Sequence, residues 1–127
     1  MHELSVAVDV CRAVIEAASK NHASSVKSVE LELGECTMIN QEQLSFCFKV
    51  AAEGTLAEGA ELNIVNVPPA IRCECGYRGT VNTDQHHIPY ELAFDLRCPK
   101  CGNCAAELVS GREISVKNIR IEVDENA

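Results

Sequence analysis

The 127-residue sequence contains no tryptophan, only two tyrosines and only three phenylalanines. Surfaces that bind single-stranded nucleic acid use aromatic side chains as stacking platforms for bases, so this composition argues against such a surface. Cations are also scarce, with 11 Lys and Arg against 19 Asp and Glu, and the formal net charge is -8. Because affinity for phosphate comes mainly from Lys and Arg, the charge balance argues against nucleic acid as a partner.

Long apolar runs are missing as well. No stretch approaches the ~20 apolar residues of a membrane-spanning helix. The start of the chain has no cationic segment, and Glu3 and Asp9 interrupt its apolar residues, which is unlike a signal peptide. We therefore expect a cytoplasmic protein without a membrane partner. The length suits one modest core of Val, Ile, Leu and Ala together with a module stabilised by a metal.

Cysteine, by contrast, is abundant, with eight residues in the chain. Cys73 and Cys75 form a Cys-x-Cys motif, and Cys98 and Cys101 form a Cys-Pro-x-Cys-Gly motif. Two such pairs can supply a tetrahedral sulfur cage for zinc. Because the first pair is tighter than the usual Cys-x-x-Cys, Cys104 is a candidate substitute ligand. A disulfide and redox thiols are the alternatives, although paired cysteines in an intracellular chain are usually metal ligands.

Apolar periodicity predicts two helices. The first covers about residues 4 to 21, where apolar residues recur with the spacing of one helical face. The second follows Asn40, whose side chain can cap a helix with Gln43 three residues on, and it ends before Gly54. Its predicted buried face consists of Leu44, Cys47, Phe48 and Ala51. The thiols expected to be small core residues are Cys11, Cys36 and Cys47.

Alternating apolar and polar residues predict three strands, around residues 29–33, 62–67 and 119–123. A change of phase near Lys117 and Asn118 indicates a bulge or bend in the last strand. These elements predict an α+β fold with a small three-stranded sheet, two helices on one of its faces and an inserted zinc-ribbon-like module. The predicted domains are residues 1–69 together with 111–127, and residues 70–110 for the module.

Outside the cysteines, His2 is the residue that most suggests a function. A bulky side chain after Met1 hinders removal of the initiator methionine, so the histidine should remain second in the chain. Its imidazole, its own backbone nitrogen and the Glu3 amide can form a fused chelate once the amides lose their protons. This arrangement suits planar coordination of Ni(II) or Cu(II). A lone histidine at this position is, however, more often an ordinary surface residue.

Four motifs occur together along nearly the whole chain, in a characteristic order and at characteristic separations. They are Met1-His2-Glu3 before an amphipathic helix, Leu33-Gly34-Glu35 after the first strand, Ala57-Glu58-Gly59-Ala60 before the second, and Cys98-Pro99-Lys100-Cys101-Gly102. In this combination the sequence resembles the HypA/HybF family of nickel metallochaperones. The resemblance implies a non-enzymatic protein that delivers nickel to the large subunit of [NiFe]-hydrogenase with the GTPase HypB. Urease maturation proteins are a further set of partners that it implies.

For the sites, the resemblance implies nickel at His2 and Glu3. It also implies structural zinc at Cys73, Cys75, Cys98 and Cys101. The segment between the cysteine pairs resembles a His-x-Ile-Pro stretch found in some members, and His86 matches its histidine. His86 is therefore a further candidate nickel ligand, with His87 beside it, and a polar surface loop is the alternative for both.

Two other functions are compatible with the same residues. A zinc-ribbon protein-interaction module would bind zinc but no second metal. A thiol redox enzyme would use Cys98 with Cys101, or Cys101 with Cys104. Redox Cys-x-x-Cys pairs usually open a helix, whereas Pro99 and Gly102 indicate a turn. Both a monomer and a homodimer are compatible with the sequence.

Overall fold

The computed structural model describes residues 2–81, 97–102 and 106–124. The chain divides into two compact units, each built from separate stretches of sequence. The larger unit comprises Met1–Glu32, Ile39–Val65 and Ile114–Ala127, and the smaller comprises Leu33–Met38 and Asn66–Glu113. None of the helices in the described residues has the length and apolar character needed to cross a membrane. The predicted assignment of nickel to one domain and zinc to the other stays a prediction at this point.

Helix α1 (Glu3–Lys20) forms where the apolar period predicts it. Its buried residues recur at intervals of one, three and four, which places them on one face: Val6, Ala7, Val10, Cys11, Val14 and Ala18. The helix ends at Asn21, whose N–H donates to the Ala18 carbonyl at 3.1 Å. His22 then adopts a left-handed conformation with φ 60, which turns the chain at a position where glycine is more usual.

Helix α2 (Gln41–Ala52) begins at the predicted cap. The Asn40 side chain accepts a hydrogen bond from the Gln43 N–H at 2.9 Å, which confirms this prediction. The buried residues are Leu44, Phe48 and Ala52. Ala52 takes the place predicted for Ala51, because it lies four residues after Phe48 on the same face. Cys47 and Ala51 are half-buried at the edge of this face, and α2 packs against α1.

Most of the predicted three-stranded sheet lies in the larger unit. Strands β1 (Ala23–Gly34), β2 (Glu61–Val67) and β6 (Ile114–Val123) are arranged in the order β2-β1-β6. β1 begins earlier than predicted because its polar residues find partners at the end of β6. The Ser24 hydroxyl donates to the Glu122 carbonyl at 3.0 Å, and Lys27 pairs with the Glu122 carboxylate at 2.7 Å. In β6, alternate burial is interrupted at Lys117 and Asn118, both exposed, where the sequence predicts the phase change.

The smaller unit contains a second sheet that sequence patterns do not predict. Strands β3 (Ala70–Arg72), β4 (Arg78–Thr80) and β5 (Glu107–Ser110) are arranged in the order β4-β3-β5, and both neighbours of β3 are antiparallel to it. Strands of three or four residues are too short to show an alternating pattern. In the part of this unit that the structure describes, the buried cluster consists of Ile71, Cys73, Val81 and Cys98, with Tyr77, Ala106 and Leu108 packed against it.

Two backbone segments cross closely within the smaller unit. After β1, the short 3-10 helix Glu35–Thr37 begins, and the Cys36 N–H donates to the Gly111 carbonyl at 2.8 Å. The Gly34 N–H donates to the Glu113 carbonyl, also at 2.8 Å. A β-carbon on Gly34 would collide with the Gly111 carbonyl. The crossing therefore requires glycine at this position for space, since φ of Gly34 is an ordinary -66.

Replacing Gly34 with alanine should lower the free energy of unfolding by more than about 2 kcal/mol, because two hydrogen-bonded backbones must separate. Gly54→Ala is the matched control. Gly54 has φ +76 with nothing within 4 Å of an added β-carbon, so its replacement should cost only the left-handed strain of about 1 kcal/mol. Urea unfolding gives both values, and hydrogen exchange at residues 34–36 reports the crossing. Equal costs for the two variants would contradict the steric explanation.

Candidate metal sites

Four cysteine sulfurs converge in the smaller unit. The Sγ atoms of Cys73, Cys75, Cys98 and Cys101 all lie within 4.8 Å of one another. The Cys73–Cys101 pair is separated by 3.5 Å and the Cys75–Cys98 pair by 3.6 Å. Four sulfurs bound tetrahedrally to zinc at about 2.3 Å would lie about 3.8 Å apart. The spacing of this cysteine quartet therefore fits a single zinc ion.

Each pair of the quartet lies on a tight turn followed by glycine. In the first, the Gly76 N–H donates to the Cys73 carbonyl at 3.0 Å, and the Cys73 N–H donates to the Tyr77 carbonyl at 2.9 Å. In the second, the Gly102 N–H donates to the Cys98 carbonyl at 2.8 Å. Gly76 and Gly102 have φ of 99 and 77, a conformation that glycine adopts without steric cost. The turns thereby bring both sulfurs of each pair to one point.

The second turn also favours the thiolate of Cys98. Burial raises the pKa of this thiol, but hydrogen bonds from the backbone N–H groups of Cys101 and Lys100, and from the Cys75 and Cys101 thiols, more than offset it. The resulting pKa is about 7, below the ordinary value of a cysteine. Because the thiolate is the form that binds metals, the turn prepares Cys98 as a ligand near neutral pH.

The alternatives to a metal centre receive less support from this geometry. Sulfur separations of 3.5 and 3.6 Å are far longer than a disulfide bond of about 2.05 Å, and the described cysteines form no disulfide. Residues 98–102 form a turn, whereas a redox pair usually opens a helix. Cys104 lies outside the described residues, so its role as a substitute ligand stays a prediction.

The second candidate site is the start of α1. His2 precedes the helix in an extended conformation, with φ -92 and ψ 133, and its side chain is exposed. The Glu3 carboxylate accepts a hydrogen bond from the Asn40 N–H at 3.1 Å, which ties the start of α1 to the start of α2. This hydrogen bond is the main cause of a lowered pKa at Glu3. The carboxylate beside His2 is therefore kept charged.

An open cleft of about 600 Å³ surrounds this start of α1, lined by His2, Glu3, Leu4, Asn40, Glu42, Gln43, Phe46 and Cys47. Sequence reasoning singled out His2 and Glu3 but missed Asn40 and Glu42 as their neighbours. Among the residues that the structure describes, the cysteine quartet is the only place where three or more His, Cys, Asp or Glu side chains converge closely enough to hold a metal ion. A metal at His2 would therefore depend on backbone nitrogens. His86 and His87 lie outside the described residues, and their approach to this site stays a prediction.

An α+β fold with a cysteine quartet defines a small metal-binding protein. Residues 1–121 match the family described as "HypA: Hydrogenase/urease nickel incorporation, metallochaperone, hypA". The chain is 46% identical over 124 residues to the hydrogenase maturation factor HypA of Methanothermobacter thermautotrophicus, covering 96% of this chain and 98% of that protein. It is 44% identical over 131 residues to the factor of the same name from Methanosarcina acetivorans, covering 98% of both.

The fold agrees with that of a solved relative. The solution structure of the Ni metallochaperone HypA from Helicobacter pylori matches with a TM-score of 0.70 at 22% identity, covering 98% of this chain and 100% of that one. The match of residues 1–121 to the family model and the 46% identity to a full-length relative show that this chain belongs to the HypA family, as the motifs predict.

The pKa of Glu3 can be tested with two variants of Asn40 that both lack its capping side chain. Asn40→Pro also removes the N–H that donates a hydrogen bond to the Glu3 carboxylate, so the pKa of Glu3 should return toward its ordinary value. Asn40→Ala keeps this N–H and should leave the pKa of Glu3 lowered. Carbon-detected NMR titration of the Glu3 carboxyl gives both midpoints. A carboxyl with a lowered pKa stabilises the fold above its unfolded-state pKa, and this contribution disappears as the pH falls through the folded-state value. Identical midpoints in the two variants would exclude Asn40 as the cause.

Proposed function

We propose that this protein is a non-enzymatic nickel carrier of the cytoplasm. It binds Ni(II) at its amino terminus and delivers the ion for maturation of [NiFe]-hydrogenase, while the cysteine quartet holds structural zinc. The observation that carries the proposal is the exposed His2-Glu3 start of α1, at an open cleft, in a chain of the HypA family. Its nickel-binding domain is residues 1–69 with 111–127, and its zinc-binding domain is residues 70–110.

The helix start supports nickel binding through its backbone. The His2 carbonyl accepts the first helical hydrogen bond, from the Val6 N–H at 3.1 Å, which fixes the backbone on one side of the histidine. The first N–H groups of a helix have no partner within it, so the Glu3 amide is available without breaking a helical hydrogen bond. Its N–H now contributes to the lowered pKa of the Glu3 carboxylate, and nickel would replace this interaction when the amide loses its proton. Ni(II) accepts the planar set of imidazole and backbone nitrogens that this short segment offers.

The two sites suit two different tasks. A carrier must release its cargo, and an exposed site with few side-chain donors favours release. The cysteine quartet supplies all four sulfurs of a closed tetrahedral centre, which is typical of structural zinc. Zinc there would cross-link the Cys73–Cys75 turn to the Cys98–Cys101 turn. The proposed partners are the GTPase HypB and the hydrogenase large subunit, with urease maturation proteins as a second client group.

Changing His2 should remove tight nickel binding. His2→Asn is preferable to alanine because a larger side chain should keep the initiator methionine in place, and His22→Asn, at the other end of α1, is the matched control. We expect His2→Asn to weaken nickel binding by at least about tenfold, with unchanged zinc content and thermal stability, and His22→Asn to bind like the parent. Isothermal titration with nickel measures this, and native mass spectrometry counts both metals.

The outcomes separate the proposal from its main alternative. If His2→Asn binds nickel as tightly as the parent, the nickel site lies elsewhere in the chain. If the zinc-loaded parent takes up no second metal at all, the protein is a zinc-ribbon interaction module instead.

Changing Cys98 should release zinc and loosen the smaller unit. The reason is that zinc binding supplies folding free energy on the order of 10 kcal/mol in small zinc-dependent folds. The matched control is Cys36→Ala, because Cys36 is half-buried and lies outside the quartet, and this variant should retain the zinc of the parent protein. Metal analysis and hydrogen exchange of residues 70–81 report both effects. Zinc affinity should decline further as the pH falls below about 7, because protons then compete for the Cys98 thiolate as well. A Cys98→Ala protein with one zinc and parental exchange protection would contradict this assignment.

A further inference from the structure

Four large apolar side chains remain exposed on the two contacting helices of the larger unit. On α1 these are Leu4 and Val8, with 56% and 38% exposure, and on α2 they are Phe46 and Val50, with 67% and 45%. In each helix the two residues are four positions apart, so they lie on the same face one turn from each other. Contiguous apolar surface of this kind on a soluble protein often marks an interaction site.

Three of these side chains, Leu4, Val8 and Phe46, border two depressions along the same helices. Leu4 and Phe46 line the cleft at the start of α1. A second depression of about 300 Å³ is lined by Val8, Cys11, Arg12, Ile15 and Ala51. Because Leu4 and Val8 are successive turns of α1, the two depressions follow one another along that helix. We call this surface, lined by Leu4, Val8, Ile15, Phe46 and Ala51 and flanked by the exposed Val50 one turn after Phe46, the helix groove.

The length of the helix groove suits a helical occupant. From Leu4 to Ile15 the axis of α1 advances by about 16 Å, at about 1.5 Å per residue, which is three helical turns. Amphipathic helices bind in such grooves through apolar residues spaced three and four apart. Nothing else of the described chain covers these residues, as their exposure indicates.

Charge around the helix groove selects the kind of helix. Glu3 and Glu42 line the depression that contains Leu4 and Phe46. Arg12 of α1 lies 3.9 Å from Asp9 of the same helix, and this carboxylate offsets the charge of the guanidinium. Lys49 is the only cation of α2. The whole chain carries -8. A second copy would bring the same acidic surface to the groove, whereas a cationic partner is attracted to it.

We propose that the helix groove binds an amphipathic helix of another protein, with an apolar stripe and Lys or Arg along its flanks. One end of such a helix would lie beside His2. Metal-binding residues of the partner protein could then reach the nickel ion bound there. That consequence rests on the proposed function, but the docking itself does not.

Two synthetic peptides of about 18 residues, long enough to form helix in the bound state, can test the proposal. They share one leucine stripe at helical spacing, and their other positions are lysine in one peptide and glutamate in the other. Fluorescence anisotropy with the full-length, zinc-loaded protein measures binding. We expect the lysine peptide to bind at least about tenfold more tightly than the glutamate peptide, with weaker binding at high salt.

A pair of double variants locates the binding surface. Val8→Ser with Val50→Ser removes apolar area from the helix groove, and Val65→Ser with Val109→Ser removes it from strands where the valines are 43% and 44% exposed. The groove variant should bind the lysine peptide at least about tenfold more weakly, and the strand variant should bind it like the parent. Neither groove valine lines the cleft around His2, so nickel binding should be unchanged and the two proposals can fail separately.

Three results would overturn the proposal. One is equal binding of the lysine and glutamate peptides, and another is an equal loss of binding in the two double variants. The third is a dimer of the parent, detected by sedimentation, that dissociates in the groove variant, because the occupant would then be a second copy of this chain. Circular dichroism and hydrogen exchange verify that both variants are folded before they are compared.

Discussion

The described part of the smaller unit is arranged around four sulfur atoms that meet at one point. Among the described residues of this unit, four buried residues form the apolar cluster, and two of them, Cys73 and Cys98, are themselves members of the quartet. Its three described strands have only three or four residues each, at the short end of the usual range, so they offer few apolar side chains to this cluster. Cys73 and Cys98 therefore belong both to the apolar cluster and to a sulfur quartet whose spacing fits a metal ion. Removing either thiol would take away packing in the cluster and one of the four sulfurs together.

Much of the fold follows from local patterns. The Asn40 cap, the period of α1 and the phase change at Lys117 and Asn118 are each encoded within a few consecutive residues, so the sequence predicts them. The early start of β1 is different, since Ser24 and Lys27 become strand residues only through Glu122, far along the chain. The sheet of the smaller unit could not be predicted from the sequence, because its strands are too short to show an alternation of apolar and polar residues.

The same distinction applies to the sites. The spacing of the cysteines and their following glycines predicts the quartet, because a turn brings together residues that are near in sequence. Nothing near His2 in the sequence predicts its proximity to Asn40 and Glu42, which arises because two helices begin side by side. The hydrogen bond from the Asn40 N–H to Glu3 is a consequence of that packing. Residues that cap one helix can thus also set the charge at the start of another.

The crossing at Gly34 and Gly111 bears on how this protein can be rearranged. Most of the smaller unit is inserted in the sequence between β2 and β6. The end of β1 also belongs to it, through hydrogen bonds to Gly111 and Glu113. Residues 66–113 transplanted into another protein would lose those partners, and the remaining chain would keep a strand end with unpaired N–H groups. Recombination between relatives would therefore have to exchange both stretches together. The smaller unit is compact in space but cannot be moved as a single segment of sequence.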